Sequence, residues 1–188
     1  EDAFVRTHAA LAMVRRGIVS DEVVVVVVTE SLKAQDPALR SFGTQVLEEM
    51  GPQTKDVLAS LAKSLKDPDG QIRIRAAELL MTYEEWSYPA LQALLLCLKD
   101  KDENVRWLTT YSIADLQPQS PEAVQALMKA VRDPIQKVSI GAVYALGEIG
   151  PLAKRASGEL RRLAESTNDE ELKKQIAYSL QQMDKEAP

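Results

Sequence analysis

The sequence predicts an all-α protein, a solenoid of stacked antiparallel helical hairpins. Three observations lead to it. A pattern of apolar, basic, two free positions, two small residues, one free position, small and apolar recurs along the chain. Its copies begin at Val5, Leu39, Ile72, Val105, Val138 and Leu172, at intervals of 34, 33, 33, 33 and 34 residues. A sustained period in this range marks a stacked repeat architecture, in which each unit buries its apolar face only against its neighbours. Within each copy the apolar spacing is helical: Val138, Ala142, Ala145, Leu146 and Ile149 fall on one helix face. Finally, the pairs Gly51-Pro52 and Gly150-Pro151 punctuate the chain, Gly suiting a left-handed helix end and Pro the first turn of the next helix.

The chain is expected to form a single repeat domain, 1–188. Residues 1–17 supply only the second helix of a repeat, so further repeats are expected upstream. Five full repeats follow at about 18–51, 52–86, 87–117, 118–150 and 151–184. The first helix of each is marked by Val25, Val28 and Leu32; by Val57, Leu61 and Leu65; by Leu91, Leu94, Leu95 and Leu98; and by Val124, Leu127, Met128 and Val131. Short polar turns join the two helices, as in Lys66-Asp67-Pro68-Asp69-Gly70 and Arg132-Asp133-Pro134, where Asp caps and Pro opens the following helix. Small pairs (Ala9-Ala10, Ala76-Ala77, Thr109-Thr110, Ala142-Val143) are expected to let hairpins approach closely. Val23–Val28 is unusual in a helix, because β-branched residues lose rotamer freedom there. Either its outward valines pack on the first repeat, or they form an exposed patch for self-association.

A basic column, Arg6, Arg40, Arg73, Arg106 and Lys173, follows each apolar anchor by one residue. An acidic column, Asp2, Asp36, Asp69, Asp102 and Asp169, precedes it by four. We read the two as a ladder of turn Asp to helix Arg that locks the stacking. Ser139 and Ile135 break both columns in the same repeat, which fits a pairing role.

Composition narrows function. The net charge of −5 argues against broad nucleic-acid binding, which depends on Lys and Arg neutralising phosphates. The single cysteine, Cys97, sits in the apolar run Leu94–Leu98 and reads as a buried structural thiol. With one histidine, His8, a multi-His or Cys–His metal site cannot be assembled. No phosphate loop or nucleophile elbow is present. The chain therefore reads as non-catalytic, with no cofactor. No apolar run approaches the ~20 residues that span a membrane.

The segments Leu65–Ala77 and Val138–Gly150, the latter ending Ala145-Leu146-Gly147-Glu148-Ile149-Gly150, resemble HEAT repeats, most closely the short type of phycobilisome lyases. The resemblance covers the whole chain, as about 5.5 repeats. With the partial repeat counted as the first, the fourth lacks the Gly ending and has Thr109-Thr110 in place of Ala-Ala, and the third ends Tyr83-Glu84-Glu85-Trp86. The second has Ala34 where the others have Asp67, Asp100 and Asp133. The resemblance implies a right-handed superhelix with first helices on the convex side and second helices lining the concave side.

On that expectation, four columns of the second helix line the concave surface: two, three, six and ten residues after the anchor. Column six carries Tyr111, Tyr144 and Tyr178 in successive repeats, with Leu11, Gln45 and Glu78 before them. Column two adds Ile74, Trp107 and Ile140; column three His8, Phe42, Arg75 and Leu108; column ten Arg15, Glu49, Asp115 and Glu148. Four of the nine Phe, Trp and Tyr residues thus gather on one face, as in binding hot spots, unless neighbouring repeats cover the rings. The candidate site is Trp107, Tyr111, Tyr144, Tyr178, Arg75, Glu78, Asp115, Glu148, Ile74 and Ile140. Its acidic rim favours a basic or extended partner segment and disfavours nucleic acid. A protein–protein scaffold is the leading expectation. The alternative, implied by the resemblance, is a tetrapyrrole lyase or its chaperone subunit, with Arg75 on a propionate. Lys154, Arg155, Arg161 and Arg162 read as a solvated basic face. Self-association is the expectation attached to Val23–Val28.

Overall fold

The computed structural model describes residues 2–18, 22–50 and 55–185. Gly51-Pro52 and the side chains of Val57 and Trp86 lie outside them. Among the described residues there is no strand, and eleven α-helices follow in order. They are α1 (Ala3–Arg15), α2 (Glu22–Leu32), α3 (Pro37–Met50), α4 (Lys55–Ser64), α5 (Gly70–Met81), α6 (Glu84–Cys97), α7 (Glu103–Leu116), α8 (Pro121–Ala130), α9 (Gln136–Ile149), α10 (Ser157–Ser166) and α11 (Glu170–Met183). A 3-10 segment, Gly150–Ala156, precedes α10. The odd-numbered helices are the second helices of the repeats. No described helix is long and apolar enough to cross a membrane.

The chain divides into two compact units, Glu1–Ala93 and Leu94–Pro188. In the first, α1, α3 and α5 pack in succession, with α2 and α4 against them. In the second, α7, α9 and α11 form the corresponding row; α8 packs on α9, and the 3-10 segment packs on α8, α9 and α11. The expected packing face is the observed one: Val138, Ala142, Ala145, Leu146 and Ile149 are all buried, as are Leu91, Leu94, Leu98, Val124, Leu127 and Cys97. The small pairs do bring helices close. Thr109, Thr110, Ala142 and Val143 are fully buried, and a methyl group on Gly141 would collide with the Thr110 side chain. Ala9 is the exception and is exposed.

The column aspartates cap helices. Asp2, Asp36, Asp69, Asp102 and Asp169 accept the N–H two residues on, at 2.8–3.0 Å. Each such cap is worth ~1 kcal/mol. They are not the rungs of the ladder, which corrects the sequence expectation. The rungs come from the aspartate two residues earlier, in the turn of the following repeat. Arg40 donates to both oxygens of Asp67 at 2.6 and 3.0 Å, and Arg106 to both of Asp133 at 2.7 and 3.1 Å. The third arginine nitrogen, Nη1, donates to carbonyls of the residue's own turn: Ala34 and Gln35 for Arg40, Asp100 and Lys101 for Arg106. One guanidinium therefore closes one turn and grips the next, in the fork geometry that favours Arg over Lys.

This pairing also revises the meaning of Ser139. Its partner position, two residues before the capping Asp169 as Asp67 is before Asp69, holds Thr167 instead of Asp. The matched loss is Ser139 with Thr167, not with Ile135. Ser139 donates to the carbonyl of Val131 at 2.7 Å, and the Thr167 hydroxyl accepts from the Asp169 N–H at 3.1 Å. At the other end of the chain the turn carries Ala34 at the rung position, and Arg6 reaches Glu30 at 3.5 Å.

The valine run is in a different phase from the one expected. Val24, Val28 and Leu32 form the buried stripe, Val25 is half-buried, and Val23 and Val26 are exposed. Gly150 has φ +71° and ψ −134°, a positive-φ conformation that suits glycine but is not the expected left-handed helical one, and the chain continues as 3-10 before α10 begins. Where the preceding repeat has no Gly, Gln117 itself takes the left-handed conformation, φ 43° and ψ 52°.

Candidate functional site

In the second unit, α7, α9 and α11 place the column residues in a row because each packs its buried stripe on the next. Tyr111 and Tyr178 are 40% and 43% exposed, and Trp107, Tyr144 and Ile140 are half-buried. Tyr111 and Tyr178 are thus open on one side, while Trp107 and Tyr144 are partly covered. Trp107 meets Tyr111 edge to face at 5.6 Å, and Tyr111 lies 5.9 Å from Tyr144, tilted by 40°. Such spacings fall in the favourable range for aromatic pairs. The Tyr178 hydroxyl donates to Glu148 at 3.2 Å, while Asp115 is exposed and Glu148 half-buried beside the rings.

The carboxylates leave an electrostatic mark. Burial raises the Tyr144 phenol above its ordinary value, and the charges of Glu148 and Asp115 raise it further. The Tyr178 phenol is raised by its hydrogen bond to Glu148 and by that residue's charge. Both tyrosines are thus neutral hydroxyls beside carboxylates, a surface that combines aromatic faces with negative potential. A guanidinium or ammonium group suits it on both counts.

Column reading missed Lys137. Its ammonium lies 5.4 Å from the Trp107 ring centroid, donates to Asn104 at 2.8 Å and pairs with Glu103 at 2.9 Å. Lys137 and Asn104 occupy the same column one repeat apart, just before the anchors Val138 and Val105, so the repeat spacing contained the signal. The pairing means that Trp107 already carries a cation from the chain itself. The tyrosines remain open.

The first unit holds the other expected residues. Ile74 is only 5% exposed, a correction: no polar atom draws this aliphatic side chain outward, and burial removes it from a partner's reach. Arg75 is exposed but paired with Glu48 at 2.5 Å. Arg15 forms a fork with Glu49, both bonds 2.8 Å, which neutralises that part of column ten. Glu78 is half-buried. His8 rests on Phe42 with ring centroids 4.3 Å apart. In this unit the columns are largely self-satisfied by ion pairs and ring contacts.

The sequence profile of HEAT repeats matches residues 25–114 and 91–181. The chain belongs to the HEAT-repeat family. Among curated proteins no sequence matches it significantly. Solved structures with the same fold include an engineered protein, 19% identical, with a TM-score of 0.62 over 97% of this HEAT-repeat chain and 91% of the other. A designed armadillo repeat protein in complex with the peptide (KR)4 is 16% identical, TM-score 0.59, covering 97% and 88%. Computationally designed armadillo repeat proteins for modular peptide recognition are 16% identical, TM-score 0.58, covering 97% and 90%. At these identities the likeness speaks to the fold.

Proposed function

We propose that the chain is a non-catalytic protein-binding scaffold, and that the face formed by α7, α9 and α11 holds an extended basic segment of a partner. The observation that carries the reading is the Tyr111–Tyr144 ring pair with Asp115, Glu148 and Tyr178 around it. It offers stacking area together with carboxylates for Lys or Arg, a hot-spot composition. The designed armadillo repeat protein that shares the fold carries an alternating Lys-Arg peptide, which supports the class of partner. The tetrapyrrole alternative needs Arg75 for a propionate, and the ion pair of Arg75 with Glu48 weighs against it.

The test is fluorescence anisotropy with a labelled alternating Lys-Arg peptide. The double change Tyr111→Ala and Tyr144→Ala weakens binding by roughly 2 kcal/mol or more while the thermal midpoint stays near wild type. Asp115→Asn with Glu148→Gln weakens binding and flattens its salt dependence. Equal affinity for wild type and both variants would refute the proposal. Unfolding of the tyrosine variant would make the rings part of the core.

A further inference from the structure

Among the described residues, the last repeat alone has a 3-10 segment, and this opens a second surface, on the side of α8 and α10. Its first helix does not start as α-helix after Gly150. Seven residues, Gly150–Ala156, run as 3-10 before α10 begins at Ser157. A 3-10 segment advances ~0.5 Å more per residue than an α-helix, so α10 is carried about 3.5 Å further along than a continuous helix would be. The 3-10 segment fills the packing position beside α8, and α10 stands off. Between α8 and α10 the structure has two adjoining clefts of about 410 and 310 Å³, which share Arg132 and Glu159 as walls. Both volumes fall in the ~300–1,000 Å³ range of clefts that accept ligand groups.

The floor is apolar, from Met128, Val131 and Leu163. The rim is basic. Lys129, Arg132 and Arg162 contribute three positive charges against the single carboxylate Glu159, a local balance of +2 on a chain whose net charge is −5. Arg132 uses its charge on Glu159 at 2.6 Å and bridges the two walls. Lys129 and Arg162 are exposed and, among the described residues, have no ion-pair partner. A greasy floor beneath two unspent cations is complementary to one kind of occupant.

We infer that this cleft is a second docking site, for an acidic amphipathic segment of a partner protein. A large apolar side chain of the segment seats on Met128 and Leu163, and its flanking carboxylates reach Lys129 and Arg162. The helix-in-groove mode, with apolar anchors at helical spacing, fits such a floor. A nucleic acid fits less well, because the apolar floor of Met128, Val131 and Leu163 offers its phosphates nothing. The inference does not depend on the tyrosine face, which lies on different helices and selects the opposite charge.

The experiment uses the intact protein and a short fluorescein-labelled amphipathic peptide with Leu at helical spacing and Glu elsewhere. A Lys-for-Glu counterpart and a short DNA duplex serve as comparators. Lys129→Glu with Arg162→Glu weakens binding of the Glu peptide by roughly tenfold or more, about 1.4 kcal/mol. Tyr111→Ala with Tyr144→Ala leaves it unchanged. Melting by circular dichroism checks the fold, and the milder Lys129→Ala with Arg162→Ala gives a smaller loss in the same direction. Three results would overturn the inference: no binding of the Glu peptide, binding indifferent to the charge reversal, or preference for the duplex. Failure here with retained Lys-Arg peptide binding removes only this site, and the reverse outcome removes only the tyrosine face.

Discussion

Replacing Gly147 with alanine sets two helix effects against each other. In a helix interior alanine is favoured over glycine by up to ~1 kcal/mol. Gly147 is buried in α9, and a methyl group there would sit 2.7 Å from the Ser179 hydroxyl and 2.9 Å from both its Cα and Cβ. Ordinary contact begins near 3.4 Å, so α9 and α11 must separate by about 0.5 Å, and the Cα is backbone that no rotamer change can remove. A gap of that size forfeits about a quarter of the dispersion energy at each affected contact, and overpacking of this kind costs ~1–3 kcal/mol. The buried hydrogen bond from Ser179 to the Val143 carbonyl, 2.8 Å, is stretched as well, a further ~1 kcal/mol. The net expectation is a loss of ~1–3 kcal/mol, read as a lower urea midpoint by far-UV circular dichroism. Gly158→Ala is the internal control. Nothing lies within 4 Å of its added methyl, so the same chemical change raises the midpoint slightly. Ser179→Ala does not rescue Gly147→Ala, because Cα and Cβ remain. Thr110→Ala does relieve Gly141→Ala, whose closest neighbour is the Thr110 hydroxyl oxygen. A Gly147→Ala protein as stable as wild type would refute the claim that backbone contact sets the α9–α11 spacing.

Arg106→Ala leaves Asp133, whose side chain is only 9% exposed, without its fork. It should destabilise by about 2–4 kcal/mol in urea titrations, toward the lower end for a pair not wholly buried. Arg75→Ala, at the half-exposed pair with Glu48, should change little. Burial pushes the Asp133 carboxyl up, but the hydrogen bonds from Arg106 and the Ile135 N–H, with the Arg106 charge, outweigh it and leave it below the ordinary 3.8. The folded state thus favours the carboxylate; this stability is present above 3.8 and is lost as pH falls through the lowered value. Asp133→Asn should flatten that acid limb in a series of urea midpoints against pH. Gln117→Gly relieves a left-handed residue, a strain of ~1–2 kcal/mol, less the added unfolded-state entropy of glycine. A thermal midpoint raised by a net ~0.5–1 kcal/mol is expected.

The period made the fold legible because a repeat must present the same faces at each turn of the stack. Val138, Ala142, Ala145, Leu146 and Ile149 declare one helix face, and all are buried. Phase was lost where the residues are uniform: six consecutive valines fit every register equally well, and only packing selects Val24 and Val28 over Val25. The ladder was misassigned for a different reason. Asp67 and Asp69 lie two residues apart in one turn, and composition does not say which carboxylate caps and which reaches back to Arg40. Three dimensions separate them, since a cap must sit at the helix start and the other then points along the stack. At the candidate site the tyrosine column was readable. The capture of Trp107 by Lys137 was less legible, because Lys137 lies in a column marked by neither apolar nor aromatic character.

The offset ladder has a consequence for how such a chain can be edited. Arg40 and Arg106 each answer to a carboxylate in the next module, so excising or inserting material within such a module strands one member of a pair, whereas moving a whole module restores both. Ser139 and Thr167 make the junction of α9 with α11 an exception, a splice point held by the Gly147–Ser179 shape and by hydrogen bonds such as Ser179 to Val143 and Gln136 to Asp169, with no arginine rung. A module grafted there needs the right silhouette and hydrogen-bonding groups, and no matching arginine–carboxylate pair.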